Sequence, residues 1–228
     1  MNNEIISKLK HGLIISCQAE MDSPFNSPEG VNMFAKAAVA GGAAGIRSEG
    51  IEKTKMIIES VQVPVIGLIK SIFADGSVRI TGSFSDVDDL SAIECPIIAI
   101  DGTFRKRDGL TGPEFIHRIK SEFDALIMAD IAKEDEAIEC EHAGTDLIST
   151  TLNGYTPDTE ADKIISPNFE LVKSLSQKIK KPLIAEGRIN SPEAAKQMIK
   201  LGAYAIVVGT AITRPHIITS WYVDALKK

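Results

Sequence analysis

The stretch PLIAEGRINSPEAAKQMIKLGAYAIVVGT, from Pro182 to Thr210, holds one complete structural unit and decides the fold. Its first run, Pro182–Ala185, is apolar at consecutive positions and leads into Glu186. That is the pattern of a strand covered on both faces. Ser191-Pro192-Glu193 then reads as a helix start, with serine as N-cap and proline at the first helical position, and the helix runs to Gly202. A second apolar run, Ala205–Val208, ends at Gly209-Thr210.

The same unit recurs outward along the chain. The other apolar runs are Gly12–Cys17, Ala44–Ile46 leading into Arg47, Pro64–Ile69 into Lys70, Pro96–Ile100 into Asp101, Ala125–Ala129 into Asp130, and Asp146–Thr151. Pro28–Ala40 opens at Ser27 and stops at Gly41-Gly42, as a helix does. Glu114–Phe123, Glu134–His142 and Phe169–Ile179 carry apolar residues at helical spacing. Eight units of about 28 residues fill the chain, which predicts an α/β fold, a (β/α)8 TIM barrel with residues 1–228 as a single domain. An open doubly wound sheet is the alternative, but it rarely uses eight equal units. No linker, low-complexity tract or second domain interrupts the pattern.

Composition excludes several functions. The 228 residues are 44% hydrophobic and 25% charged, with a net charge of −6. An acidic chain without a basic face argues against nucleic acid as a partner. No segment approaches the roughly 20 continuous apolar residues that span a bilayer, so no membrane partner is expected. Met1–Lys10 lacks the apolar centre of a signal peptide. Cys17, Cys95 and Cys140 are odd in number and widely spaced, which points to a reducing cytoplasm. Cys17 stands near a strand end, but a small buried apolar role is favoured for it.

The chemistry is expected where the strands end, because the βα loops form the active-site face of this fold. The first polar residues after the runs are Gln18, Arg47, Lys70, Asp101, Asp130, Thr151, Glu186 with Arg188, and Gly209-Thr210 followed by Arg214. One such charge is usually a solvated loop residue; their coincidence at one register is the signal. Lys70, Glu186 and Asp130 are the catalytic candidates. Lys70 and Glu186 flanking one carbon would let a proton leave one face and return on the other, with Asp130 orienting or polarising. A buried ion-pair network without turnover is the bland reading. Gln18, Arg47, Arg188 and Thr151 are expected around the substrate.

Gly187, Gly209, Thr210 and Arg214 form the expected phosphate site. Loops after the seventh and eighth barrel strands recur as phosphate sites, since glycine lets backbone N–H groups approach and an arginine fork can close over the anion. No metal is expected. His11, His117, His142 and His216 are scattered, and an oxygen set of Asp101, Asp130 and Glu186 lacks a histidine partner. Gly102–Asp108 (GTFRKRD) reads as a mobile loop with solvated cations. Trp221 and Tyr222 read as core or subunit interface.

At this point the sequence resembles a known family, the N-acetylmannosamine-6-phosphate 2-epimerases, phosphosugar barrels of the ribulose-phosphate-binding type. The resemblance lies in GLIISCQA (Gly12–Ala19), GIRSEG (Gly45–Gly50), PVIGLIK (Pro64–Lys70), MADIA (Met128–Ala132), STTLNGYT (Ser149–Thr156), IAEGRI (Ile184–Ile189) and VVGTAITRP (Val207–Pro215). It implies interconversion of N-acetylmannosamine 6-phosphate and N-acetylglucosamine 6-phosphate by inversion at C2, in sialic-acid and amino-sugar catabolism, without a redox cofactor. It places the catalytic lysine at Lys70, its acidic partner at Glu186, substrate contacts at Arg47 and Asp130, the phosphate-side arginine at Arg214 and a sugar contact at Gln18. It also implies a homodimer, through the last helix. Ala132–Glu136 (AKEDE), Phe104–Gly109 (FRKRDG) and Asn153 depart from the family's pattern without touching Lys70 or Glu186.

Removal and return of the C2 proton and a retro-aldol route would use the same residues. Two readings from other classes stand beside the epimerase: a Schiff-base aldolase or lyase using Lys70, and a phosphosugar-binding protein without turnover.

Overall fold

The computed structural model describes residues 2–19, 22–73, 76–160 and 166–227. The strands are, in chain order, β1 (Leu13–Cys17), β2 (Gly45–Glu49), β3 (Val65–Leu68), β4 (Lys70–Ile72), β5 (Val78–Ile80), β6 (Ile97–Asp101), β7 (Leu126–Asp130), β8 (Leu147–Ser149), β9 (Leu183–Glu186) and β10 (Ala205–Val208). All but β4 and β5 are parallel and close into one barrel, in the order β1-β10-β9-β8-β7-β6-β3-β2. Closure runs through β1 and β10, with Leu13 opposite Ile206 and Ile15 opposite Val208. These eight strands are the eight apolar runs of the sequence, and the architecture is the (β/α)8 barrel expected from them.

Most of the barrel strands are apolar on both faces because both are covered. Ile14, Ile66, Ile97, Leu126, Leu147 and Ile184 belong to one buried cluster inside the barrel. Their neighbours Ile98, Ile127, Ile148 and Ala185 belong to another, which includes Phe115, Leu175 and Met198 of the surrounding helices. Burying one such aliphatic side chain contributes about 1.5–3 kcal/mol.

The helices are α1 (Asn2–Ser7), α2 (Pro28–Ala40), α3 (Ile51–Ser60), α4 (Phe84–Ala92), α5 (Gly112–Glu122), α6 (Glu134–His142), α7 (Phe169–Lys178), α8 (Pro192–Lys200), α9 (Thr210–Thr213) and α10 (Pro215–Leu226). The two serine caps expected from sequence are made: Ser27 Oγ accepts from the Gly30 N–H at 3.0 Å and Ser191 Oγ from the Ala194 N–H at 3.1 Å. Each such cap is worth about 1 kcal/mol. Among the described residues no helix is long and apolar enough to cross a membrane.

The β4–β5 hairpin was not legible from the sequence. It leaves the barrel straight after β3 and pairs antiparallel, Lys70 opposite Ile80 and Ile72 opposite Val78. Helices α1, α3 and α4 were likewise not singled out. Cys17 is fully buried and packs with Val31, Ala35 and Ile46. Burial pushes its thiol up to about 12, in line with an inert apolar role.

Candidate active site

Arg47 is the hub of the strand-end cluster. It leaves β2 into the barrel mouth at 1% exposure. Its Nη1 donates to Asp130 Oδ1 at 2.9 Å and its Nη2 to Asp130 Oδ2 at 2.5 Å, a two-pronged ion pair. The same Nη1 reaches Glu186 Oε2 at 2.9 Å and Thr151 Oγ1 at 3.2 Å. Thr151 in turn stands within bonding distance of Asp130 Oδ1 at 2.7 Å and Glu186 Oε2 at 2.9 Å. Burial opposes the Arg47 charge, but Asp130 and Glu186 outweigh it and raise its pKa further.

Glu186 ends β9, and Thr150 fixes its backbone: the Thr150 hydroxyl lies 2.9 Å from the Glu186 carbonyl and 3.0 Å from its N–H. Both side-chain bonds of Glu186 fall on Oε2, leaving Oε1 uncommitted among the described residues. Burial raises the Glu186 pKa, and the Asp130 charge adds to this, against the opposing pull of Arg47, the Thr151 bond and Lys70.

Lys70 opens the hairpin. Its Nζ donates to Gln18 Oε1 at 2.6 Å, and the Gln18 amide is held in turn by Ser16 Oγ at 3.0 Å. The side chain is open to solvent through the cavity yet crowded by protein. That crowding lowers its pKa; Arg47 and Arg214 push the same way, and the carboxylates of Glu49 and Glu186 resist.

A cavity of about 560 Å³ opens at the C-terminal end of the barrel. Gln18, Arg47, Lys70, Thr151, Glu186, Gly187, Arg188, Gly209, Thr210 and Arg214 all line it. Ten of the eleven residues expected at the site therefore share one wall. Asp130 does not: it is fully buried behind Arg47, with its oxygens turned to Arg47 and Thr151.

The described lining holds five cationic side chains against two carboxylates, so an acidic protein presents a basic cavity suited to an anion. At its β9–β10 side, Gly187 takes φ +110°, a conformation that favours glycine, and a Cβ built there meets nothing within 4 Å. Gly209 caps the single turn of α9, which Thr213 ties to β1 by an O–H bond to the Ser16 carbonyl at 2.8 Å. Arg188 sits in the left-handed region at φ 57°. Its guanidinium holds the loop after β8, donating to the Asn153 carbonyl at 3.0 Å and the Ser166 carbonyl at 3.1 Å and standing 5.8 Å from the centre of the Tyr155 ring.

The expectation for Gly102–Asp108 is corrected. Arg107 is buried, donating to the Asp101 carbonyl at 2.7 Å and standing 3.2 Å from its carboxylate. Arg105 reaches Asp101 Oδ2 at 2.5 Å and lines the cavity. The cause is Asp101 itself, whose fully buried charge must be matched by cations. Its oxygens are engaged by these arginines and by Thr103, so it does not join Asp130 and Glu186 as an oxygen set. Arg105 and the hairpin residues Val78 and Ile80 line the cavity without having been foreseen. Trp221 and Tyr222 are not core, being 44% and 72% exposed on α10.

Comparison with known proteins finds relatives along the length of the chain. A protein-family model described as "Putative N-acetylmannosamine-6-phosphate epimerase" matches residues 31–228. A relative from Caldanaerobacter subterraneus subsp. tengcongensis, named for the 2-epimerase activity, is 46% identical over 100% of this chain and 96% of its own length. Another from Cutibacterium acnes, named in the same way, is 41% identical over 99% of this chain and 98% of its own. The solved structure of the N-acetylmannosamine-6-phosphate 2-epimerase from Clostridium perfringens is 42% identical and superposes with a TM-score of 0.90, covering 96% of this chain and 95% of that one. A thiamine phosphate pyrophosphorylase from Pyrococcus furiosus, 18% identical with a TM-score of 0.62, shares the fold. The chain thus belongs to the N-acetylmannosamine-6-phosphate epimerase family.

Proposed function

We propose that this protein interconverts N-acetylmannosamine 6-phosphate and N-acetylglucosamine 6-phosphate by inverting C2. The carrying observation is the meeting, in one basic cavity, of an amine with a lowered pKa and a carboxyl with a raised one. An amine so tuned holds a larger neutral fraction and can accept a proton; a carboxyl so tuned can deliver one. In the open-chain sugar C2 lies next to the C1 aldehyde, which acidifies its hydrogen. Lys70 takes that proton, the electron pair passes to the C1 oxygen as an enolate whose C2 still carries the acetamido nitrogen, and Glu186 returns a proton to the opposite face of C2. Exchange with solvent then resets the two groups.

Arg47, held by Asp130, supplies positive charge beside the developing oxyanion. Asp130 acts from behind the wall, by orienting Arg47 and Thr151. Gln18 positions Lys70. Gly187, Gly209, Thr210 and Arg214 take the phosphate, and Thr151 and Arg188 border the sugar. The reaction requires no redox cofactor or metal in this scheme, and its phosphorylated substrate belongs in the cytoplasm. The working unit in this reading is a homodimer joined through α10, a helix of which no residue is buried in the chain.

An NMR time course on N-acetylmannosamine 6-phosphate in deuterated water tests the reading. The expected result is N-acetylglucosamine 6-phosphate labelled at C2. Absence of product overturns the activity, and product without label overturns the proton route in favour of carbon–carbon cleavage.

A further inference from the structure

One face of the β4–β5 hairpin is more apolar than the packing of the barrel requires. Strand alternation places Lys70, Ile72, Val78 and Ile80 on one face and Ser71 and Arg79 on the other. Arg79 is buried at 2% exposure, with its guanidinium 5.3 Å from the centre of the Phe73 ring, so its face is turned into the protein. The opposite face is the one turned to the cavity: Lys70, Val78 and Ile80 all line it. Ile80 joins the buried cluster inside the barrel together with Leu152, another lining residue. Val78 and Ile72 remain 46% and 79% exposed.

The hairpin also comes braced. Arg105, anchored on Asp101 at 2.5 Å, points a second nitrogen at the Val78 carbonyl at 3.4 Å. A short two-stranded ribbon is weak by itself, and this link ties it to the end of β6. A fixed apolar wall therefore stands directly beside the reactive amine.

We infer that the hairpin face carrying Lys70 is the subsite for the acyl group on the substrate's C2 nitrogen, with Ile80 and Val78 as the residues that set acyl specificity. The inference rests on the epimerase reading. A substituent of the carbon that Lys70 reaches must lie next to Lys70, and its cross-strand partner Ile80 has its Cβ about 4.5–5.5 Å away. The anion-binding wall lies at β9 and β10, across the barrel from β3, where the hairpin emerges. A sugar anchored there by its 6-phosphate turns its C1–C2 end, and the acyl methyl with it, toward the hairpin. Apolar walls discriminate by size, at roughly 10- to 200-fold per methylene.

The test is a comparison of kcat/KM for the N-acetyl, N-propanoyl and N-butanoyl forms of mannosamine 6-phosphate, on wild type, Ile80→Ala and Val78→Ala. Wild type is expected to prefer acetyl. Ile80→Ala should shift the butanoyl-to-acetyl ratio at least ~10-fold toward butanoyl. Val78→Ala, an exposed position whose change does not threaten folding, should shift it at least ~3-fold in the same direction. Ratios unchanged in both variants, with an active wild type, overturn the inference and leave the epimerase reading standing. A wild type that turns over none of the three overturns both.

Discussion

Arg47 and Glu186 meet at 2.9 Å, yet Glu186 is still biased toward holding its proton. The guanidinium is shared. Its two terminal nitrogens are already committed to Asp130 at 2.9 and 2.5 Å, so Glu186 receives only part of one charge to offset the desolvation of its own. A guanidinium divided between two carboxylates favours the charged form of each less than an undivided one would. In the proposed reaction that asymmetry favours Glu186 as the proton donor.

The first prediction concerns this hub. Arg47→Ala removes the guanidinium paired with Asp130, whose side chain has 0% exposure, and leaves that carboxylate buried without its cation. Such losses cost about 3–5 kcal/mol. Urea denaturation at neutral pH should show that drop, and turnover should fall by at least ~100-fold. Arg47→Lys keeps a charge but loses the two-pronged geometry, so it should recover part of the stability and little of the activity. An unchanged denaturation midpoint in Arg47→Ala would contradict the hub.

The second concerns Glu186 and pH. Its folded pKa lies above the ordinary 4.5, so the stability linked to it is fully present below 4.5 and drains away as pH rises through the folded value. Glu186→Gln removes that loss. The variant should be at least as stable as wild type at pH 8 while losing most activity, measured by thermal unfolding and coupled assay. In the proposed mechanism the productive pair is a neutral amine with a protonated carboxyl, so kcat/KM of wild type against pH should be bell-shaped. Its two limbs belong to the coupled pair, the lower above 4.5 and the upper below 10.5. The residual activity of Glu186→Gln should instead rise with pH on a single limb, that of Lys70. A bell-shaped profile retained in this variant would remove Glu186 from the acid role.

The barrel could be read from sequence because its signals are local. Pro182–Ala185 and Pro96–Ile100 are apolar on both faces, and Ser27 and Ser191 announce their helices before they begin. The strand-end residues could be read as a set for the same reason, since the register of a parallel barrel is shared. Which charges meet was not legible. Arg105 and Arg107 resembled solvated loop cations until the fold placed the buried Asp101 beneath them. The hairpin escaped because each strand has only three residues, too few for an alternating pattern to stand out. Asn153, where serine would fit the family's pattern, serves as a joint: its Nδ2 donates to the Ala132 carbonyl at 2.9 Å, and its Oδ1 accepts from Asn168 at 3.2 Å and Arg188 at 3.3 Å. A serine hydroxyl is too short to make all three contacts.

The third prediction concerns α10. Trp221, Tyr222, Val223 and Leu226 are 44%, 72%, 42% and 87% exposed on a helix that buries none of its residues in its own chain. Large apolar side chains left exposed along one helix mark an interaction site, and a second copy of the chain is the occupant in the homodimer reading. Sedimentation equilibrium should give twice the chain mass of 24.6 kDa for wild type and the single mass for a Trp221→Ser, Leu226→Ser double variant. If the dimer supports the fold, the thermal midpoint of wild type should climb with protein concentration and that of the variant should not, because only association makes stability depend on concentration. A double variant that still sediments as a dimer would move the interface away from α10.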